Sequence, residues 1–401
     1  MTSPSTGASI IGDMRVAIVA ESFLPNVNGV TNSVLRILEH LNRHGDDALV
    51  IAPGARDFEE EVVSYVGFPV VRVPTVMVPL INSLPVGVPV PAVNHALRSF
   101  RPDVVHLASP FVLGAAGAFV ARQLKVPAVA VYQTDVVGFA EKYHLSALST
   151  AAWEWTRLIH NSCARTLAPA TPAIEALRSH GITDVHRWAR GVDTECFNPA
   201  HRCDRLRRSW DPSGERRIVG YVGRLAAEKG VDRLVSLSGR DDLQLVIVGD
   251  GPEYGALRDT LPGAVFTGAL GGEELGRAYA SFDVFVHPGE FETFCQTIQE
   301  AQASGVPTIG PRAGGPVDLI TPGGNGELLD VATFSADLPA AVDRVLDNLA
   351  DMSATALDRV SGRTWEGVCG ELRGHYSAVL ADQRRVERST GVRPGAWARW
   401  R

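Results

Sequence analysis

The sequence predicts an α/β protein made of two Rossmann-like domains. Three observations carry this expectation. The chain has 401 residues, too long for one typical hydrophobic core, so two domains are expected. Short apolar runs of strand length alternate with segments of helical spacing, the pattern of parallel strands joined by crossover helices. The series strand, glycine-containing loop, helix, strand occurs near the start and begins again after residue 217. Two such domains facing each other across a cleft make that cleft the expected ligand site.

Composition narrows the class. With 45% hydrophobic and 21% charged residues, the chain reads as soluble and globular. A formal net charge of −7 argues against nucleic acid as the main partner. No apolar run reaches the roughly 18 residues a spanning helix needs. Residues 1–13, MTSPSTGASIIGD, lack the charged-then-apolar order of a signal peptide and read as a disordered lead. Cys163, Cys196, Cys203, Cys295 and Cys369 are scattered and form no C-x-x-C pair. That suits a reducing cytoplasm and argues against a zinc site.

In the first half, residues 15–20 (RVAIVA) are the first expected strand. A loop follows, then Gly29 and a helix over residues 30–44, with Val30, Val34, Leu35, Leu38 and Leu41 at helical spacing. Gly45 ends it, and residues 48–52 form the second strand. This βαβ unit sets the ligand edge at the C-terminal ends of the strands. Gly29 suits close approach of a phosphate or sugar to the backbone; it reads equally as a simple loop glycine. Neither G-x-G-x-x-G nor G-x-x-x-x-G-K-[ST] follows the first strand, which counts against a dinucleotide oxidoreductase and a P-loop enzyme. Further strands are expected at 70–73, 104–107 and 128–131, with a weaker one at 166–168. Residues 75–91 are apolar and proline-rich and cannot be a helix interior. They read as a lid or interaction surface, or as a loop folded on its own domain. Tyr132-Gln133-Thr134-Asp135 puts polar groups at a strand's C-terminal end. Asp135 is either part of a site or the N-cap of a helix from Val136.

The second half starts after a turn-rich stretch, residues 190–199, and a charged irregular segment, 201–217. Strand 218–222 (IVGYV) is followed by Gly223-Arg224 and then Lys229-Gly230; strand 244–248 is followed by Gly249-Asp250-Gly251-Pro252. A strand at 265–267, a helix at 273–279 and a strand at 284–286 lead into residues 286–307, VHPGEFETFCQTIQEAQASGVP. There Thr293 and Gln296 have capping-box spacing, and Gly305 fits the residue just past the helix. Glu292 stands just before this helix and Glu300 inside it, about two turns or roughly 12 Å apart. Helix N–H groups favour phosphate and carboxylates suit sugar hydroxyls. The plainer alternative is a capped surface helix with two solvated acids. A last βα unit is expected over 306–320, with Gly314-Gly315 in its loop.

These motifs together carry a resemblance. Gly223-Arg224 with Lys229-Gly230, GDGP at 249–252, E-x7-E as Glu292 to Glu300, GVDTECFNP at 191–199 and AGGP at 313–316 resemble the retaining glycosyltransferases of family 4, of GT-B fold. The resemblance runs from about Met14 to Leu380. ETFCQTIQEA, PNVNGV and YQTD are similar to the actinobacterial GDP-mannose-dependent α-mannosyltransferases that act on lipid-linked acceptors. With the boundary set at the irregular segment after residue 200, it implies an acceptor domain at 14–200, a donor domain at 201–365 and a helix at 366–382 returning to the first domain, ahead of a basic disordered tail at 383–401. It also implies donor-binding roles for Gly29, Gly223, Arg224, Lys229, Gly249, Asp250, Cys295, Gln296, Thr297 and Glu300. Arg224 and Lys229 are expected on the diphosphate, and so are Gly29 and the backbone N–H groups of Cys295 to Thr297. Glu300 is expected on the ribose. Glu292, Asp135 and Gln133 are the expected catalytic residues, with Glu292 on the donor sugar. Many relatives carry histidine where Gln133 stands and glycine where Cys295 stands. Glutamine is no proton shuttle at neutral pH, which moves more of that work to Asp135.

The expected activity is transfer of mannose from GDP-mannose, with retention, to a glycan or glycolipid acceptor. A UDP-sugar donor and a non-catalytic nucleotide-sugar-binding protein are the alternatives; the latter would be expected to lose Glu292 and Glu300. No metal or cofactor is expected, since no D-x-D pair stands at a strand end. A cytoplasmic location with peripheral contact to anionic membrane is expected. The apolar stretch 75–91 and the arginine-rich tail, which holds Trp397 and Trp400, motivate that contact; a solvated tail is the alternative.

Overall fold

The structure is a computed structural model that describes residues 14–54, 61–77, 85–87, 91–133 and 146–390. The chain divides into two compact units. One comprises Met1–Tyr132, Leu158–Leu167 and Leu372–Arg401; the other comprises Gln133–Arg157 and Ala168–Glu371.

The first unit is built on β1 (Arg15–Ala20), β2 (Asp47–Pro53), β3 (Ser64–Tyr65), β4 (Phe68–Val73), β5 (Thr75–Met77), β6 (Pro85–Gly87), β7 (Val104–Ala108), β8 (Ala128–Val131) and β9 (Arg165–Ala168). Its main sheet runs in the order β9-β8-β7-β1-β2-β4-β3. The pairs are parallel except β3–β4. Ala17, Val19, Leu49, Ile51, Val105 and Leu107 enter one core with Leu97, Leu113 and Val120 of the covering helices. A sheet covered by helices needs apolar side chains along its strands, which is why these strands read as continuous apolar runs. The chain order reverses between β1 and β7. Glu21, just past β1, ties that switch point together: its carboxylate accepts from the N–H groups of Phe111, Leu113 and Gly114 at 2.7, 3.2 and 2.8 Å.

The helix after β1 is Gly29–Arg43, capped by Asn28, whose side chain accepts from the N–H of Val30 and Thr31 at 2.9 and 3.0 Å. Its buried face is Val34, Ile37, Leu38 and Leu41. Within the stretch expected as an apolar loop, β5 and β6 pair antiparallel; residues 78–84 and 88–90 lie outside the described residues. Helix Trp365–Thr390 extends through residues 383–390, which the sequence reading assigned to the tail; residues 391–401 lie outside the described residues. In the first unit this helix is held by Arg373 on Asp46, at 2.8 and 3.1 Å, and by a 2.7 Å hydrogen bond between the Tyr376 hydroxyl and His106 Nδ1.

The second unit contains β10 (Val185–Arg187), β11 (Arg217–Val222), β12 (Leu243–Val248), β13 (Val265–Gly268), β14 (Val284–Val286), β15 (Thr308–Pro311) and β16 (Gly326–Leu329). Six of them form a parallel sheet in the order β13-β12-β11-β14-β15-β16. Side chains alternate between two cores. Ile218 and Val222 face one with Phe282, Phe285 and Ile298, and Val219 and Tyr221 face the other with Leu234, Phe334 and Val342. Gly220 interrupts IVGYV because the Phe282 ring lies where its Cβ would be, 2.3 Å away. Residues 201–217, expected to be irregular, contain a short helix, Asp204–Trp210. Arg202 and Arg207 anchor it on the Asp283 carboxylate at 2.9 and 3.0 Å, and Trp210 is buried against Phe282. Among the described residues no helix is long and apolar enough to cross a membrane.

Candidate active site

The order of the second sheet fixes where a ligand can sit. The chain moves outward from β11 through β12 to β13, then returns to start β14 on the other side of β11. Loops leaving β11 and β14 therefore part in opposite directions and leave a crevice at the strands' C-terminal ends, the usual ligand position in open parallel sheets. Gly223, Arg224 and Lys229 leave β11; His287, Glu290 and Glu292 leave β14.

The β11 and β12 exits are pressed together. Gly223 donates to Val248 O at 3.0 Å and Leu225 donates to Asp250 O at 2.9 Å. A Cβ on Gly249, at φ 142°, would stand 1.9 Å from the carbonyl oxygen of Gly223. Only glycine permits that approach. Asp250 is exposed and its carboxylate accepts from the N–H of Gly251 at 2.7 Å. Arg224 is half-exposed and pairs with the buried Glu228. Lys229 turns the other way and donates to Glu292 Oε1 at 2.5 Å.

Glu292 is thus held by two cations, since His287 Nε2 also lies 3.3 Å from Oε1. Burial pushes the Glu292 carboxyl up, but Lys229 and then His287 outweigh it and hold its pKa at about 2. Burial pulls His287 down, and the neighbouring Cys295 and Glu292 more than reverse that, raising it to about 9. Lys229 is raised too, because Glu292 outweighs its own desolvation. The three groups are therefore a charged cluster at neutral pH.

Glu300 has the opposite environment. Burial raises it to about 7, against the Tyr279 hydroxyl, which donates to Oε2 at 2.9 Å, and the charge of Arg190. One carboxylate is fixed ionised and the other sits near its midpoint.

The helix between them departs from the expected capping box. It spans Gln296–Ala303, with Cys295 as the N-cap at φ 75° and no side-chain cap bond. Glu292 lies before the helix, as expected, three residues ahead of the N-cap. Thr293 does not cap: its hydroxyl donates to the backbone carbonyl of Gln133 at 2.9 Å. The loop takes this course because Gly314 and Gly315 pack on it. Cβ atoms there would meet Glu292 O at 2.4 Å and Phe294 O at 2.2 Å, and the Gly315 N–H donates to Glu292 O at 2.7 Å. Gln296 is held to Gly191 O at 3.0 Å through its side chain, and the Thr297 hydroxyl lies 3.4 Å from His287 Nδ1.

The sequence reading missed three groups here. His287 directly follows the strand Val284–Val286, and no spacing in the sequence marks it as part of a site. Tyr279 lies on the preceding helix, where only its spacing as a core residue is legible. Arg190 sits in a turn-rich stretch, yet it is buried, and its Nη2 donates to Gln133 Oε1 at 2.8 Å. Of the expected site residues, Gly29 is in the first unit and Asp135 lies outside the described residues.

A switch-point crevice that gathers cations, carboxylates and a helix start suits the class of enzymes whose ligands carry both phosphate and hydroxyl groups. Comparison with known proteins agrees with that class. Residues 27–196 match the model of Glycosyltransferase Family 4, and residues 204–356 match Glycosyl transferases group 1. A GDP-mannose-dependent alpha-mannosyltransferase of Corynebacterium glutamicum is 64% identical over 94% of this chain and 92% of its own. One of Mycolicibacterium smegmatis is 58% identical, over 92% of this chain and 98% of its own. Sucrose-phosphate synthase from Thermosynechococcus elongatus has the same fold, with a TM-score of 0.74 at 18% identity, over 92% of this chain and all of that one. The chain belongs to glycosyltransferase family 4 and is an enzyme of the GT-B class.

Proposed function

We propose that this enzyme transfers an α-mannosyl group from GDP-mannose, with retention at the anomeric carbon, to a glycan or glycolipid acceptor. The donor is the one named for relatives that are 64% and 58% identical over nearly their full lengths. The observation that carries the site is the pairing of Lys229 with Glu292 at the switch point, beside Arg224 and the helix start.

In this reading Arg224 and Lys229 take the diphosphate, joined by backbone N–H groups from Cys295 to Thr297, a preorganised electrostatic role at the leaving group. Gly223, Gly249 and Asp250 form the close-packed floor beneath it, and Gly29 keeps the diphosphate approach that the resemblance gives it. Glu300 accepts from the ribose hydroxyls. Glu292 accepts from hydroxyls of the sugar, with Gln133 and Asp135 as the other catalytic candidates. Two cations and a helix start supply the charge that a metal would otherwise bring, so turnover is metal-independent; loss of turnover in EDTA with rescue by Mg²⁺ or Mn²⁺ would overturn this. The domain roles follow the resemblance, acceptor at 14–200 and donor at 201–365.

We also infer a cytoplasmic location with peripheral contact to anionic lipid, supported by the arginines at 384, 385, 388, 393, 399 and 401. Flotation with anionic liposomes, comparing the full chain with one ending at Asp382, tests it. Flotation of the full chain alone is expected; flotation of neither protein at low salt contradicts it. The activity itself is tested by proton NMR of the sugar first released from GDP-mannose. The α anomer is expected, and β-mannose as the first product overturns retention.

A further inference from the structure

We propose that Arg190 is a positioning residue that fixes the side-chain amide of Gln133 as a hydrogen-bond donor toward an oxygen of the transferred sugar. The inference rests on the proposed reading of Gln133 as a catalytic residue, taken here as one that touches the transferred sugar.

The geometry constrains the amide in three ways. A guanidinium only donates, so the Gln133 atom 2.8 Å from Arg190 Nη2 is the amide oxygen. That leaves Nε2, with its two hydrogens, as the free end. Gln133 is more than nine-tenths buried and its Nε2 has no partner among the described residues. A buried donor without a partner is costly, and a donor held in place is what a sugar oxygen would satisfy. The main chain of the same residue is pinned as well, since the Thr293 hydroxyl donates to its carbonyl at 2.9 Å.

Arg190 is itself held by the element that carries the site. Gln299 Nε2 donates to Arg190 O at 3.1 Å, and Gln296 Nε2 donates to Gly191 O at 3.0 Å. The bonds form a closed circuit: helix Gln296–Ala303 holds the Arg190 backbone, Arg190 holds the Gln133 amide, and Thr293 holds the Gln133 carbonyl. A buried guanidinium needs negative charge nearby, and Arg190 interacts with Glu292 and Glu300. The cation is therefore bound into the same field as the two acids, while its hydrogen bond goes to a neutral amide. An amide oriented in this way offers the substrate donors only. Histidine at this position would offer a donor or an acceptor according to its tautomer, so the pair also restricts which sugar atom is recognised.

The test is a double-mutant cycle on GDP-mannose hydrolysis by the full chain, with water as the acceptor, using Gln133→Met, Arg190→Met and the double variant. GDP affinity is measured in parallel by calorimetry. Each single substitution is expected to lower kcat by about 10-fold or more, the scale of one hydrogen bond in a transition state, with GDP affinity changed less than about 2-fold. The double variant is expected to fall no further than Gln133→Met, because groups acting as a unit are not additive. If Gln133→Met lowers kcat and Arg190→Met does not, or if the losses multiply, the positioning role is overturned. If Gln133→Met leaves kcat intact, the sugar-contact reading itself fails. Should Arg190→Met not fold, Gln133→Glu decides: the carboxylate pairs with Arg190 but donates nothing. Unchanged or raised Tm with kcat lost supports the proposal, and retained kcat contradicts it.

Discussion

Lys229 and Glu292 form one unit, and the clearest residue-scale predictions concern that unit and Glu300. Under the proposed assignment Lys229→Ala removes a diphosphate contact; it also strips Glu292 of the cation that does most to keep it ionised. Losing a charge-assisted hydrogen bond costs roughly 1.5–3 kcal/mol, so calorimetry on Lys229→Ala, and separately on Arg224→Ala, is expected to show GDP binding weakened about 10- to 150-fold. Unchanged affinity in both variants contradicts the phosphate assignment. Glu292→Gln is expected to keep GDP affinity and lose transfer, because its carboxylate is assigned to the sugar; a GDP affinity lost together with transfer contradicts that split. Glu300 gives a pH prediction. Its folded pKa of about 7 lies above the ordinary 4.5, so the folded protein holds its proton longer than the unfolded chain. Ionising it destabilises the fold progressively from about pH 4.5 to pH 7, by about 3 kcal/mol at most. Glu300→Gln keeps an acceptor for the Tyr279 hydroxyl without that cost. Its Tm relative to the parent is expected to rise between pH 5 and pH 8; a Tm difference that stays flat with pH excludes the buried-acid account.

At the scale of elements, the strands and their polar exits were legible because both sheets are covered on their faces, and covered parallel strands must be continuous apolar runs. IVGYV, LVIV and VFV are such runs, and the glycines and charges after them stood out by contrast. The start of helix Gln296–Ala303 was not legible. ETFCQ carries a capping-box spacing, but the Gly314-Gly315 turn packs on residues 292–294 and draws the loop into another path, which spends Thr293 on Gln133. Tertiary packing overrode a local signal. The same loop puts Cys295 at φ 75°, where a side chain costs roughly 1–2 kcal/mol. Cys295→Gly is therefore expected to fold and turn over, while Cys295→Val, β-branched at positive φ, is expected to lose more than about 2 kcal/mol in chemical denaturation. Equal stability of the two variants contradicts the backbone account. Arg190 was illegible for a related reason: nothing in RGVDTECFNP marks its first residue as buried, since burial there is set by residues distant in sequence.

For the whole molecule, the α/β class and the two Rossmann-like units followed from chain length and from the repeated strand-first pattern. The long C-terminal helix shows the limit of that reasoning. From Leu372 onward it belongs to the first unit, and only the family resemblance pointed there, because its contacts, such as Arg373 with Asp46, join residues far apart in the chain. The central claim is that the second unit's switch point binds and activates GDP-mannose. The most direct test is hydrolysis of a panel of GDP- and UDP-sugars by the full chain, in EDTA and without acceptor, alongside Glu292→Gln. The account predicts release of GDP and mannose from GDP-mannose, little turnover of any UDP-sugar, and loss of release in the variant. Preferred turnover of a UDP-sugar, or full release by Glu292→Gln, would contradict it.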